Sequence, residues 1–209
     1  MKKLSGLIAA AGKSSRASGC KLLYAWPPGS RTGTIIETVI SHMSALCDQL
    51  TVVTGARHDD LFPVLEKYSH VRIVLNIRWS EGMLGSIRSG IADCLSRDSD
   101  GILYCPADYP AIRAETFRLV ADAGKTGSRI CQPVYKNEAG PPVYIPAGKA
   151  ADFIGSEWKG SFREWIAQES PDYIPCTDMM ILDDIDSDED YRRVGILLQN
   201  NNGNHKVDT

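Results

Sequence analysis

Short apolar runs alternate with helical patterns along the first two thirds of this chain, and that rhythm limits its architecture more than any other feature. "KLSGLIAA", "QLTVVT", "VRIVLN", "GILYC" and "RICQPV" read as strands. Between them, "GTIIETVISHMSAL" places Ile36, Val39, Ile40 and Met43 on one helical face. "DLFPVLEKY", "LGSIRSGIADCL" and "AETFRLVADA" carry weaker versions of the same period. Pro63 is expected near the first turn of the second helix, where a missing N–H is tolerated. Such alternation predicts βαβ units, an α/β fold with a mostly parallel, Rossmann-like sheet, and ligands at the carboxyl ends of the strands.

Beyond about residue 133 the rhythm changes. "GPPVYIP", "DYIPC" and "MMILDDI" read as extended, "FREWIAQ" as a short helix and "DEDYRRVGILLQ" as a final helix. Residues 1–198 are expected to form one domain, and 199–209 a disordered polar tail. A chain of 209 residues with 43% hydrophobic content can bury a substantial core. Its net charge of -3 argues against bulk attraction to nucleic acid. The N-terminal apolar run, Leu4 to Ala11, is too short to span a membrane and poor as a secretory signal. Six scattered cysteines without a CxxC pair fit thiols in a reducing cytoplasm better than a disulfide frame or a zinc site.

The loop after the first strand, "GLIAAAGKSSRASGCK", has the composition of a phosphate cradle but neither familiar spacing. A Walker A loop needs four residues between its first glycine and GK[ST], and here five separate Gly6 from Gly12. GxGxxG is absent too. What remains is a strand ending in small residues, then hydroxyls and cations. Small side chains let a ligand approach the backbone, and successive N–H groups can form an anion-binding concavity. Composition alone leaves two readings open, a phosphate cradle served by Arg16 and Lys21 or a solvated turn.

Several segments in register decide between them. "AAGKSSRASGCK" resembles the AAGxSxRMGxxK signature of the MobA-like nucleotidyltransferases, particularly the molybdenum cofactor cytidylyltransferase branch. "NIRWSEGMLGSIRSGI" is similar to that branch's NxxWxxGMxxS segment, "PADYP" to GDxP, "GPPVYI" to GHPV and "DIDSDEDY" to DIDTPED. The likeness runs over about 190 residues. Departures stand at Ala17 and Ser18 for MG, Ala107 for glycine, and Pro141 for the histidine of GHP. "EWKGSFRE" lacks the acidic residue that usually precedes its glycine.

The resemblance implies a three-layer sandwich of the nucleotide-diphospho-sugar transferase type. It also implies Mg²⁺-dependent transfer of a nucleotidyl group to a phosphorylated acceptor of molybdopterin type. CTP is the implied nucleotide, with GTP less favoured, because Ala10-Ala11-Gly12 lacks a second glycine. By the same likeness Ala10, Ala11, Gly12, Lys13, Ser14 and Ser15 line the nucleotide, as do Asn76, Gly82, Met83 and Ser86. Arg16, Lys21 and Asp108 are the implied catalytic groups, with Asp108 and Asp186 as metal ligands. An apo-molybdoenzyme is an implied partner. Trp79 reads as packing. Asp184, Asp186 and Asp188 alternate like a calcium loop, but Glu189 and Gly195 stand where that loop needs glycine and glutamate. Ser187 instead reads as an N-cap, with Asp188, Glu189 and Asp190 in the first helical turn.

Overall fold

A computed structural model describes the backbone of residues 2–31 and 33–204. Strands β1 (Leu4–Ala10), β2 (Gln49–Thr54), β3 (Val71–Leu75) and β4 (Gly101–Pro106) pair in parallel in the order β3-β2-β1-β4. The sheet continues through β7 (Val143–Pro146), β5 (Cys131–Tyr135) and β6 (Glu138–Ala139), all antiparallel to their neighbours. Strand β8 (Asp172–Pro175) adds a parallel pairing to β5.

Alternate residues of the central strands feed two cores, as period-two geometry requires. Leu4, Ile8, Leu50, Val52, Leu103 and Cys105 face one side. There they meet α1 (Ile35–Ser44), α2 (His58–Leu65) and α4 (Ala114–Thr126). Leu7, Val53, Ile102 and Tyr104 face the other side. These meet α3 (Met83–Leu95), α5 (Ala147–Gly155) and α6 (Phe162–Gln168). The result is the three-layer sandwich the sequence predicts. Helix α1 is sharply started: Thr34 and Glu37 form a reciprocal capping box, and Ile35, Ile36, Val39, Ile40 and Met43 are buried. Ser161 and Glu164 open α6 in the same way.

Local differences from the sequence reading have physical causes. Helix α2 begins at His58, so Pro63 lies in its second turn and not the first. "MMILDDI" is not extended over its first half: Met179–Leu182 is a 3-10 turn, capped by the Asp178 side chain accepting from the Met180 N–H. The last helix, α7 (Asp188–Asn204), runs into the stretch expected to be a disordered tail. No proline interrupts the chain there, so helical hydrogen bonding continues. The rest of that tail, 205–209, lies outside the described residues. Among the described residues no helix is long and apolar enough to cross a membrane.

β1 sits between β2 and β4, so the chain leaves it toward opposite edges. At such a switch point the carboxyl ends of neighbouring strands leave an open crevice. The loop after β1 and the turn after β4 both face it.

Candidate active site

The crevice is a cavity of about 370 Å³. Its lining includes Ala10 at the end of β1, Ala11, Gly12, Lys13, Ser14, Ser15 and Arg16 from the loop that follows, Lys21 at the start of a 3-10 turn, Met83 and Ser86 from α3, Asp108 and Asp186. Asn76 and Gly82 do not line it, although both organise its wall. Asn76 is buried and donates from Nδ2 to Ser86 Oγ at 2.8 Å, while its Oδ1 accepts from the Arg78 N–H at 3.0 Å. Gly82 holds φ +117°, a backbone state that side chains resist, immediately before α3. Trp79, expected as packing, lines the cavity, and the Lys13 ammonium lies 5.0 Å from its ring centroid.

Charges converge at the mouth. Lys21 Nζ donates to Asp108 Oδ2 at 2.9 Å and to Asp186 Oδ1 at 2.8 Å, and Arg16 reaches Asp186 Oδ2 at 2.6 Å. Lys21 is buried, unlike the solvated cation its loop position suggests. Burial pulls its pKa down, but Asp108 and Asp186 outweigh that and leave it raised. Burial pushes the Asp186 carboxyl up, and Lys21 and Arg16 more than reverse the effect, so it ends below the ordinary value.

Asp184 is the member of this cluster that the sequence did not single out as a ligand. Carboxylate oxygens of Asp108, Asp184 and Asp186 lie within 4.8 Å of one another. Burial, then repulsion from Asp186 and Asp108, raises the Asp184 pKa. These three carboxylates face two cations, leaving an excess of negative charge. A set of oxygen donors with that excess suits a hard divalent cation such as Mg²⁺.

The remaining acids act structurally. Asp190 Oδ2 accepts from the Ser187 N–H at 3.0 Å and Oγ at 2.7 Å, and Ser187 Oγ accepts from the Asp190 N–H at 3.1 Å. Asp188 does more than favour a helix terminus. Its carboxylate accepts from the Tyr24 hydroxyl at 2.8 Å and the Ser18 N–H at 3.3 Å, pinning the first loop to α7. Ala107 is buried and donates its N–H to the Ala9 carbonyl at 3.0 Å. Pro141 is buried and lies outside the cavity lining.

The family model of the MobA-like NTP transferase domain matches residues 6–171. This chain belongs to that family. The molybdenum cofactor cytidylyltransferase of Escherichia coli is 22% identical over 191 residues, covering 91% of this chain and 95% of the relative. A probable molybdenum cofactor guanylyltransferase of Bacillus thuringiensis is 28% identical over 122 residues, covering 57% of this chain and 56% of the relative. Among solved structures, a nucleotidyl transferase from Methanothermobacter thermautotrophicus superposes with a TM-score of 0.78 at 22% identity, covering 95% of this chain and 99% of the other. Both the family and the fold are those of nucleotidyltransferases.

Proposed function

We propose that this MobA-like protein transfers CMP from CTP to a molybdopterin-type phosphate monoester, with release of pyrophosphate. An acceptor phosphate oxygen attacks the α-phosphorus, the bond to the β-phosphate oxygen breaks, and a new P–O–P linkage forms. The observation that carries the reading is the cluster of Lys21, Arg16, Asp108 and Asp186 at the crevice beside the phosphate-cradle loop. Such a reaction needs positioning and charge neutralisation more than covalent chemistry from the protein.

Backbone N–H groups from Ala11 to Ser15 line the triphosphate in this reading. Arg16 and Lys21 stabilise charge that develops toward pyrophosphate. Asp108 and Asp186, joined by Asp184, would hold Mg²⁺, which would supply Lewis-acid neutralisation of phosphate charge. Asn76 and Gly82 act by setting Ser86 and the start of α3. The choice of CTP over GTP rests on Ala10-Ala11-Gly12, and the relatives include both cytidylyl and guanylyl enzymes. The setting is the cytoplasm, with an apo-molybdoenzyme as recipient of the product.

A second acceptor class, a sugar or alcohol phosphate, is favoured by Pro141 where the family's histidine would stand. Calorimetry with CTP and GTP in Mg²⁺, followed by pyrophosphate release with each acceptor class, tests both assignments. Tighter binding of GTP overturns the cytidylyl choice. Absence of pyrophosphate release with every acceptor leaves a cofactor-binding chaperone as the better reading.

A further inference from the structure

Trp79 opens the short turn Trp79–Glu81 between β3 and α3, and its root packs on Gly55, which in turn lies against Ala11 of the first loop. A side chain on Gly55 would put its first carbon 2.6 Å from Trp79 Cβ and 2.8 Å from the Ala11 carbonyl oxygen, so the contact leaves no slack. The Ala11 carbonyl also accepts from the Ala56 N–H at 3.2 Å. The root of Trp79 is therefore held in place, and the half-buried residue forms part of the cavity wall.

Lys13 covers the ring in a different manner from its neighbours' contacts. Arg16, on the same loop, and Lys21, at the start of the 3-10 turn that follows, pair with carboxylates. Lys13 is exposed, and no carboxylate among the described residues lies in ion-pair reach of it; its ammonium rests on the Trp79 ring. A cation–π contact at an exposed site is weak. A charge-assisted bond to a phosphate oxygen is stronger, and a lysine's flexible stem lets the ammonium move to it.

Resting on the nucleotide-transfer reading above, we infer that Trp79 is the platform on which the nucleobase stacks, with Lys13 as its displaceable cover. Phosphates in the first loop draw the ammonium off the ring, and the exposed π-face receives the base. Phosphate and base binding are thereby coupled through one side chain. A bare π-face accepts any base, so Trp79 supplies affinity and leaves discrimination to the Ala10–Gly12 backbone.

Tryptophan fluorescence tests this, with calorimetry beside it and the Trp79→Phe spectrum subtracted to isolate Trp79. Tripolyphosphate with Mg²⁺ should shift the Trp79 emission, and CTP should add a quench. Lys13→Gln should lose the first change and keep the second. Trp79→Leu should weaken CTP by about tenfold, the scale of one lost base stack, with tripolyphosphate affinity held within about twofold. Equal weakening of both ligands in Trp79→Leu, or of neither, overturns the platform while leaving nucleotide transfer standing. If calorimetry finds that the wild type binds neither ligand, the nucleotide reading itself falls, and the platform with it.

Discussion

Lys21 donates to Asp186 at 2.8 Å across 165 positions of sequence, and the two side chains hold the crevice together electrostatically. Lys21→Ala would leave three clustered carboxylates facing only Arg16, whose side chain is 70% exposed. Turnover should fall on the order of 10²-fold, and stability by about 1–3 kcal/mol because a buried charged partner is removed. Thermal melts should show Mg²⁺ restoring part of the lost stability. Arg16→Ala should lower turnover with almost no change in melting temperature, as expected for an exposed ion pair.

Asp186 and Asp190 lie four residues apart and should fail differently. Asp186→Asn keeps Lys21 paired with Asp108 and relieves repulsion with Asp184, so melting should barely move while turnover drops and the Mg²⁺ requirement rises. Asp190→Asn weakens the reciprocal cap with Ser187, and Ser187→Ala removes it, at about 0.5–2 kcal/mol for the latter. Activity should survive in both. The Asp190 carboxyl is held below its usual range by Ser187 first, against slight burial, with Arg193 adding to the effect. Its stabilising contribution is therefore present above the unfolded value near 3.8 and is lost as pH falls through the lower folded value.

His42 sets a second pH dependence. Burial lowers its pKa, with Glu115 pulling weakly the other way, and its Nδ1 has no hydrogen-bond partner. The folded state binds this proton less readily than the unfolded chain, whose value is near 6.5. The stabilising contribution is complete above that value and is lost as pH drops toward the folded one. In His42→Gln, melting temperature should change less between pH 7 and pH 5 than in the wild type; an identical slope would contradict the assignment.

Gly55→Ala should cost about 1–3 kcal/mol, since the new methyl collides with the Ala11 backbone and the root of Trp79. Nucleotide affinity should fall with it, because both contacts shape the cavity. Chemical denaturation and calorimetry on the same sample would separate the two effects.

The layers and the parallel strands were legible because their periodicity is local. "QLTVVT" and "FREWIAQ" coincide with β2 and α6. Helix α5 was not anticipated: it follows Pro146 directly and buries only Ala150 and Phe153, too few positions to mark a period. The 3-10 turn at Met179 depends on Asp178, whose carboxylate also accepts from the Arg113 N–H and Thr116 Oγ, partners remote in sequence. Asp184 was hidden among acids that cap a helix, and its role depends on meeting Asp108 across the crevice. The burial of Lys21 and the place of Trp79 in the cavity wall arise from packing between distant segments, which spacing does not encode. The Asp188 bonds to Ser18 and Tyr24 were illegible for the same reason.

Two members of the acidic cluster, Asp184 and Asp186, lie outside the matched family domain, which stops at residue 171, whereas Asp108 lies inside it. During synthesis, Lys21 leaves the ribosome long before Asp184 and Asp186, by roughly ten to thirty seconds at ordinary elongation rates. Through that interval the parallel strands β1 to β4 can be complete while Lys21 has Asp108 as its only carboxylate. A nascent chain thus has the loop after β1 and Asp108 first and the full acidic cluster last, and a chain cut short before residue 184 lacks Asp184, Asp186 and two fully buried core residues, Ile185 and Val194.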